Sequence, residues 1–205
     1  MKTLAKSMLL CCCLLLASSG RLIAQEHGPH GDSGKDHPFG IAPILALDEC
    51  DPTTFNAAIG PDFCKNVALA PLGFATTFQD LFAKAAAGTP DPGWDFEPDV
   101  LRIKAGTTVV VTDQGGEPHT FTEVKKFGGG FIDALNSGET MVPECEGGFK
   151  NLEVARTRII QGSQMNATGL SKGTHHFECC IHPWMRVTVE VITKSIDQTR
   201  RTTGA

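Results

Sequence analysis

Alternation of apolar and polar positions is clearest in the second half of the chain. Val187-Thr188-Val189-Glu190-Val191 repeats at period two, the mark of a strand with one buried face. Phe177 and Cys179 fall on one face of the strand just before it. Further upstream, Val100–Lys104 and Thr107–Thr112 read as strands joined by a turn at Ala105-Gly106, and His119–Lys125 as the next strand. Arg156–Ile160 and a turn over Gly169–Gly173 restore strand character ahead of Phe177. One helix stands out, from Thr77 to Gly88, with a threonine cap, a terminal glycine, and Phe78, Leu81 and Phe82 on one face. Ile41 to Ala70 has no such period and reads as irregular. Thr89-Pro90-Asp91-Pro92-Gly93 is a breaker cluster and a natural boundary. The pattern predicts a mainly β protein with a partly helical N-terminal extension.

The remaining stretches are set by composition. The chain has 205 residues, enough for one ordinary domain with extensions. Lys2 and Lys6 followed by the apolar run Met8 to Ala17 form a secretory leader, too short to span a bilayer, with cleavage after Ser19 or Ala24. The expected divisions are a leader over 1–24, a His-rich flexible linker over 25–40, an extension with one helix over 41–92, a β domain over 93–193 and a flexible tail over 194–205. His27, His30 and His37 lie in a segment that cannot bury a core, so it reads first as a linker and second as a loose metal-capturing arm. Cutting after Ala24 removes Lys2, Lys6 and Arg21 but no acid, which takes the formal charge from −5 to −8. Such a chain is a poor partner for nucleic acid or anionic lipid. Acidity is compatible with docking onto a basic protein, and equally with solubility alone.

The chemistry gathers in Gly173-Thr174-His175-His176-Phe177-Glu178-Cys179-Cys180-Ile181-His182-Pro183-Trp184-Met185. Cys179, His182 and Met185 make a Cys-x2-His-x2-Met run: a soft anionic sulfur, a borderline nitrogen and a weak sulfur. That donor set suits copper, which must be bound as both Cu(I) and Cu(II). Zinc rarely uses methionine. A trigonal site needs a second imidazole, and His119 in Glu117-Pro118-His119-Thr120-Phe121 is the best donor. Five cysteines survive cleavage. Cys50 and Cys64 bracket a compact loop and predict a disulfide in an exported protein.

At these residues the sequence resembles the cupredoxins, the type 1 (blue) copper proteins, over about Gly93 to Thr193. Amicyanin shares the spacing of Cys179, His182 and Met185, and Phe96-x-Pro98 with Lys104-Ala105-Gly106-Thr107 resembles the family's first strands. The resemblance implies a Greek-key β-sandwich and one copper ion held by His119, Cys179, His182 and Met185. Cys179 gives the family's spacing to His182, whereas Cys180 points the other way. Pro118 matches the family, while Asp113 and Thr120 replace its asparagines; with Phe177 they are expected to brace the ligand loops. The long step from His119 to Cys179 implies an insertion between Phe127 and Lys150. With Cys179 on the metal, Cys145 and Cys180 pair by elimination, one of three possible connectivities for four cysteines.

The resemblance also implies function. The ring edge of His182 is expected to reach the surface as the electron's exit, with Pro183 and Trp184 as an apolar rim for a redox partner protein. The reduced site is expected to release His182 in mild acid. The leading expectation is an exported monomeric carrier of single electrons, not an enzyme, with no membrane insertion after cleavage. The alternative is a periplasmic copper-binding or copper-delivery protein. Copper oxidases and nitrite reductases need further histidines beside the cysteine, and CuA centres need two cysteines three residues apart; Cys179 and Cys180 are adjacent.

Overall fold

The computed structural model describes residues 40–65 and 75–193. The expected leader, the linker histidines and the tail lie outside the described residues.

Two four-stranded sheets face each other. The first runs β2 (Asp95–Glu97), β1 (Ile41–Leu47), β4 (Thr108–Asp113) and β8 (Gln164–Ala167). The second runs β3 (Val100–Lys104), β10 (Arg186–Ile192), β9 (Gly173–Glu178) and β6 (Thr122–Val124). Their inner faces share one core, with Ala42, Ile44, Val109 and Val111 from one sheet and Leu101, Ile103, Phe177, Val187 and Val189 from the other. The predicted alternation of β10 is realised: Val187, Val189 and Val191 are buried. Both sheets are mixed, since β1 pairs β4 in parallel and β10 pairs β3 in parallel. The mainly β sandwich with a partly helical extension is therefore present.

Three local expectations are corrected. Ile41–Ala70 is not irregular at its start, because β1 is an interior strand that turns Ala42, Ile44 and Ala46 inward and Pro43 outward. The proline breaks the sequence signal without breaking the strand. A short helix, α1 (Pro52–Ala58), follows, capped by the Asp51 carboxylate, which accepts from Thr53 and Thr54. His119–Lys125 is two strands, since His119–Thr120 (β5) pairs with Arg158–Ile159 (β7) while β6 pairs with β9. The chain changes partners at Phe121, whose ring stacks on Phe177 at 4.3 Å. Finally, Arg156 closes a helix, α3 (Leu152–Arg156), so only Arg158–Ile159 of the Arg156–Ile160 segment is strand.

The predicted helix is α2 (Phe78–Ala86), capped by Thr77 and followed by Gly88 at φ 71°. Leu81 is buried, and Phe78 and Phe82 pack on the main core. Both expected disulfides are formed, Cys50–Cys64 and Cys145–Cys180. The second ties the connection between β6 and α3 to the residue beside Cys179. There Val124, Val142, Cys145, Val154 and Cys180 make a small core of their own. Gly130 lets this connection touch the loop, because a Cβ there would sit 2.0 Å from the carbonyl oxygen of Cys180.

Candidate metal centre

Cys179 follows directly on β9, His182 sits in the tight loop beyond it, and Met185 immediately precedes β10. The loop closes on its own backbone. Cys179 N–H donates to the Met185 carbonyl at 3.1 Å, and Met185 N–H to the His182 carbonyl at 2.9 Å. All three residues are buried. His119, the first residue of β5, arrives from the other side through the short pairing with β7.

The structure brings together the donor atoms of His119, Cys179 and His182, all within 4.8 Å of one another. Each imidazole turns Nδ1 toward the thiol: Cys179 Sγ is 3.9 Å from Nδ1 of His119 and 3.9 Å from Nδ1 of His182. An ion about 2.3 Å from a thiolate and about 2.0–2.1 Å from imidazole nitrogens, at trigonal angles, separates sulfur and nitrogen by about 3.8 Å. The gap therefore fits such an ion without rearrangement of the three side chains. Two backbone N–H groups point at the sulfur, from Thr120 at 3.4 Å and His182 at 3.5 Å. Cys179 is the free cysteine among the described residues.

Burial pushes the Cys179 thiol up, but hydrogen bonds and charge from His119 and His182 outweigh it and hold the thiol well below its ordinary range. The reverse holds for His119: burial lowers it, and Asp48 and Cys179 together raise it well above an ordinary histidine.

The bracing residues differ from expectation. Thr120 ties the two ligand loops together, as its hydroxyl accepts from Cys180 N–H at 2.7 Å. Asp113 does not act as the expected strut. Its Oδ1 accepts from Gly115 in its own turn, and its buried Oδ2 has no hydrogen-bond partner. Burial first, with the nearby Asp48 and Cys179 charges, pushes Asp113 up to about 7. Phe177 lies in the core under Phe121, and Pro118 is buried beside His119.

The strut comes from Asp48, which sequence reasoning missed. Its Oδ2 accepts from His119 Nε2 at 2.9 Å and from Glu117 N–H at 2.9 Å, and its Oδ1 from Cys50 N–H at 3.2 Å. Burial pushes Asp48 up, yet these bonds and the His119 charge keep it below the ordinary carboxylate range. Asp48, Asp113 and His119 also cluster within 4.8 Å. Gly115 allows the close packing: a Cβ there would lie 1.9 Å from Asp48 Oδ2. Nothing in the spacing of the ligand motif points to an acid so far upstream.

The exposed edge expected for His182 is also corrected. The residue is 2% exposed. Trp94 and Trp184 close over it, with ring centroids 6.1 Å and 5.5 Å away, and Glu117 Oε2 lies 3.5 Å from its Nε2. Trp94 Nε1 donates to the same Glu117 oxygen at 2.7 Å, and burial pushes this carboxyl up. Pro118 and Pro183 are buried as well, so the expected prolyl rim is not at the surface. Trp184 is half-buried, its Nε1 bonded to the Asp91 carbonyl at 3.2 Å. The physical reason is the Asp91–Trp94 segment, which lies across the loop. His175 and His176 are occupied elsewhere, on Glu123 at 2.6 Å and against the ring of Phe127 at 4.6 Å.

No family model matches the chain, and no curated protein matches it in sequence. Among solved structures it is similar to the purple cupredoxin from Nitrosopumilus maritimus, at 15% identity and TM-score 0.35 over 74% of this chain and 99% of that one. Reduced amicyanin with a proline-to-phenylalanine replacement is similar at 21% identity and TM-score 0.31, over 48% of this chain and 73% of that one. A reduced tryptophan-to-tyrosine mutant of amicyanin is similar at 22% identity and TM-score 0.32, over 53% and 90%. At these identities and TM-scores the similarities carry no assignment beyond themselves. The gap between one thiol and two imidazoles is what the chain itself offers a metal ion.

Proposed function

We propose that the chain is an exported copper protein that carries single electrons through one mononuclear site. The observation that carries this reading is the matched pair of sulfur-to-nitrogen separations, 3.9 Å on each side of Cys179, set between buried groups. When bound, copper supplies a Cu(II)/Cu(I) couple, and thiolate, imidazole and thioether donors suit both states. His119, Cys179 and His182 would hold it, and the buried thioether of Met185 in the same loop would be a weaker donor.

The chain's own contribution is rigidity. The Thr120 and His182 N–H groups fix the sulfur, Asp48 fixes His119, and the Cys145–Cys180 bridge pins the loop from outside. A cage assembled before the electron arrives changes little between oxidation states. With His182 covered, the half-buried Trp184 ring beside it offers a route from the site toward a redox partner protein. Two disulfides support an oxidising compartment, in line with the leader-like N-terminus. Among the described residues no helix is long and apolar enough to cross a membrane. The chain transforms no substrate in this reading.

Copper(II) added to the purified protein, followed by absorption and EPR spectra, tests the proposal. An intense visible thiolate-to-copper band is expected, and Cys179→Ser removes it. A protein that stays colourless with copper overturns the reading.

A further inference from the structure

Each imidazole at the centre has two ends with different neighbours. Nδ1 faces the thiol, and Nε2 faces a buried carboxylate: Asp48 at 2.9 Å for His119, Glu117 at 3.5 Å for His182. The two acids belong to different parts of the chain, and neither is held loosely. The Asp48 side chain is fully buried and receives backbone N–H groups from Cys50 and Glu117 besides the ring of His119. Glu117 is aimed by Trp94 Nε1 at 2.7 Å.

We infer that Asp48, assisted by Glu117, is a positioning residue that presets the histidines and biases the site toward a divalent over a monovalent ion. The inference rests on the copper reading. An imidazole that donates Nε2–H to a carboxylate has its tautomer fixed with Nδ1 free, and its Nδ1 becomes a stronger donor. The same charges act directly. In a dry interior, anions close to a metal site stabilise a doubly charged ion more than a singly charged one, because the interaction scales with the charge. Asp48 dominates because 2.9 Å is a hydrogen bond, whereas 3.5 Å from Glu117 to His182 is a charge contact only. The expectation is therefore a site of low reduction potential that retains Cu(II) tightly.

The test compares the copper-loaded wild type with Asp48→Asn and Glu117→Gln. Cu(II) and Cu(I) affinities are measured separately by competition, and the potential by voltammetry. Asp48→Asn is expected to weaken Cu(II) binding about 10- to 100-fold, the usual effect of losing such a partner. Cu(I) binding should weaken less, so the potential rises. Glu117→Gln moves it the same way by less, and Asp48→Glu restores part of the shift. Equal losses for both ions, with the potential unmoved, reduce Asp48 to a structural brace and overturn the inference while the copper reading stands. A wild type that forms no coloured copper site defeats the copper reading and this inference with it. If Asp48→Asn fails to fold, the ¹⁵N shifts of the histidine rings in the Zn(II)-loaded wild type decide. A strongly deshielded Nε2–H on His119, as a bond to Asp48 gives, supports the inference, and an Nε2–H at an unbonded shift overturns it.

Discussion

The loop from Cys179 to Met185 and the described parts of the chain from Ile41 up to Trp94, the extension and the first residues of the β domain, meet at one site but carry different kinds of information. The loop holds its donors at fixed short intervals, and two backbone hydrogen bonds close it on itself, Cys179 to Met185 and Met185 to His182. Among its described residues the upstream part supplies none of the four candidate ligands His119, Cys179, His182 and Met185. It supplies Asp48 behind His119 and Trp94 over His182, together with β1 at the centre of a sheet. In the copper reading proposed above, one region would define which ion binds, and the other how dry, how negative and how accessible that ion is. A short loop at the end of a sandwich leaves its outer histidine in water unless something covers it. Here the covering segment is part of the same chain.

This division can be broken most severely at Trp94. The ring is buried, stacks near Phe55 at 6.1 Å and bonds to Glu117, so Trp94→Ala removes packing and orphans a buried carboxylate. A loss of about 3–5 kcal/mol is expected from the packing alone, measured by denaturant unfolding. A loss below about 0.5 kcal/mol, the range of ordinary surface substitutions, would mean that the cover is not part of the folded unit.

Releasing the extension at its other end comes next. Replacing both Cys50 and Cys64 by serine frees a loop with a sequence separation of 14. Loop-closure entropy sets the loss at about 3 kcal/mol, read from the same unfolding curves. Reduction of Cys145–Cys180, with a separation of 35, should act instead through the loop side of the comparison and loosen the ligand turn.

Gly115→Ala sharpens the comparison without removing a charge. The added methyl would meet Asp48 Oδ2, and overpacking of this kind costs about 1–3 kcal/mol. Its diagnostic effect is on metal: Cu(II) affinity should fall as the carboxylate leaves His119. Unchanged affinity would detach Asp48 from the site.

The smallest effect concerns acid. Asp91 joins the two regions, accepting from Lys84 at 2.5 Å, Thr76 at 2.7 Å and Gly93 at 2.9 Å, while its carbonyl takes Trp184. Burial pushes its carboxyl up, but these bonds prevail and hold it below the ordinary carboxylate range. Its stabilisation is therefore complete above the ordinary carboxylate range. It is lost as pH falls through the lower native value, because the unfolded chain takes up the proton first. The stability difference between wild type and Asp91→Asn should shrink as pH falls below about 4, the ordinary aspartate value. A difference independent of pH would assign Asp91 to packing alone.

Much of the second half was legible because its signals are local. Val187 to Val191 alternates, so β10 follows from side-chain period alone, and Cys179, His182 and Met185 sit within one turn of chain. Thr77 and Gly88 mark the helix for the same reason. The errors came where partners are distant. His119–Lys125 has one strand's pattern but two strands' partners, and only the position of β7 and β9 splits it at Phe121. Ile41–Leu47 carries a proline that obscures its strand signal, yet burial between β2 and β4 makes it one.

By itself, then, the sequence determined the donor types, their intervals and the alternation that buries them, since each depends on neighbours a few residues apart. Only the tertiary structure decided that Asp48 stands behind His119, that Glu117 and two tryptophans enclose His182, and that Asp113 does not brace the loops. Those relations join residues far apart in the chain. They are set by how two sheets and a disulfide-pinned extension pack, which no local spacing records.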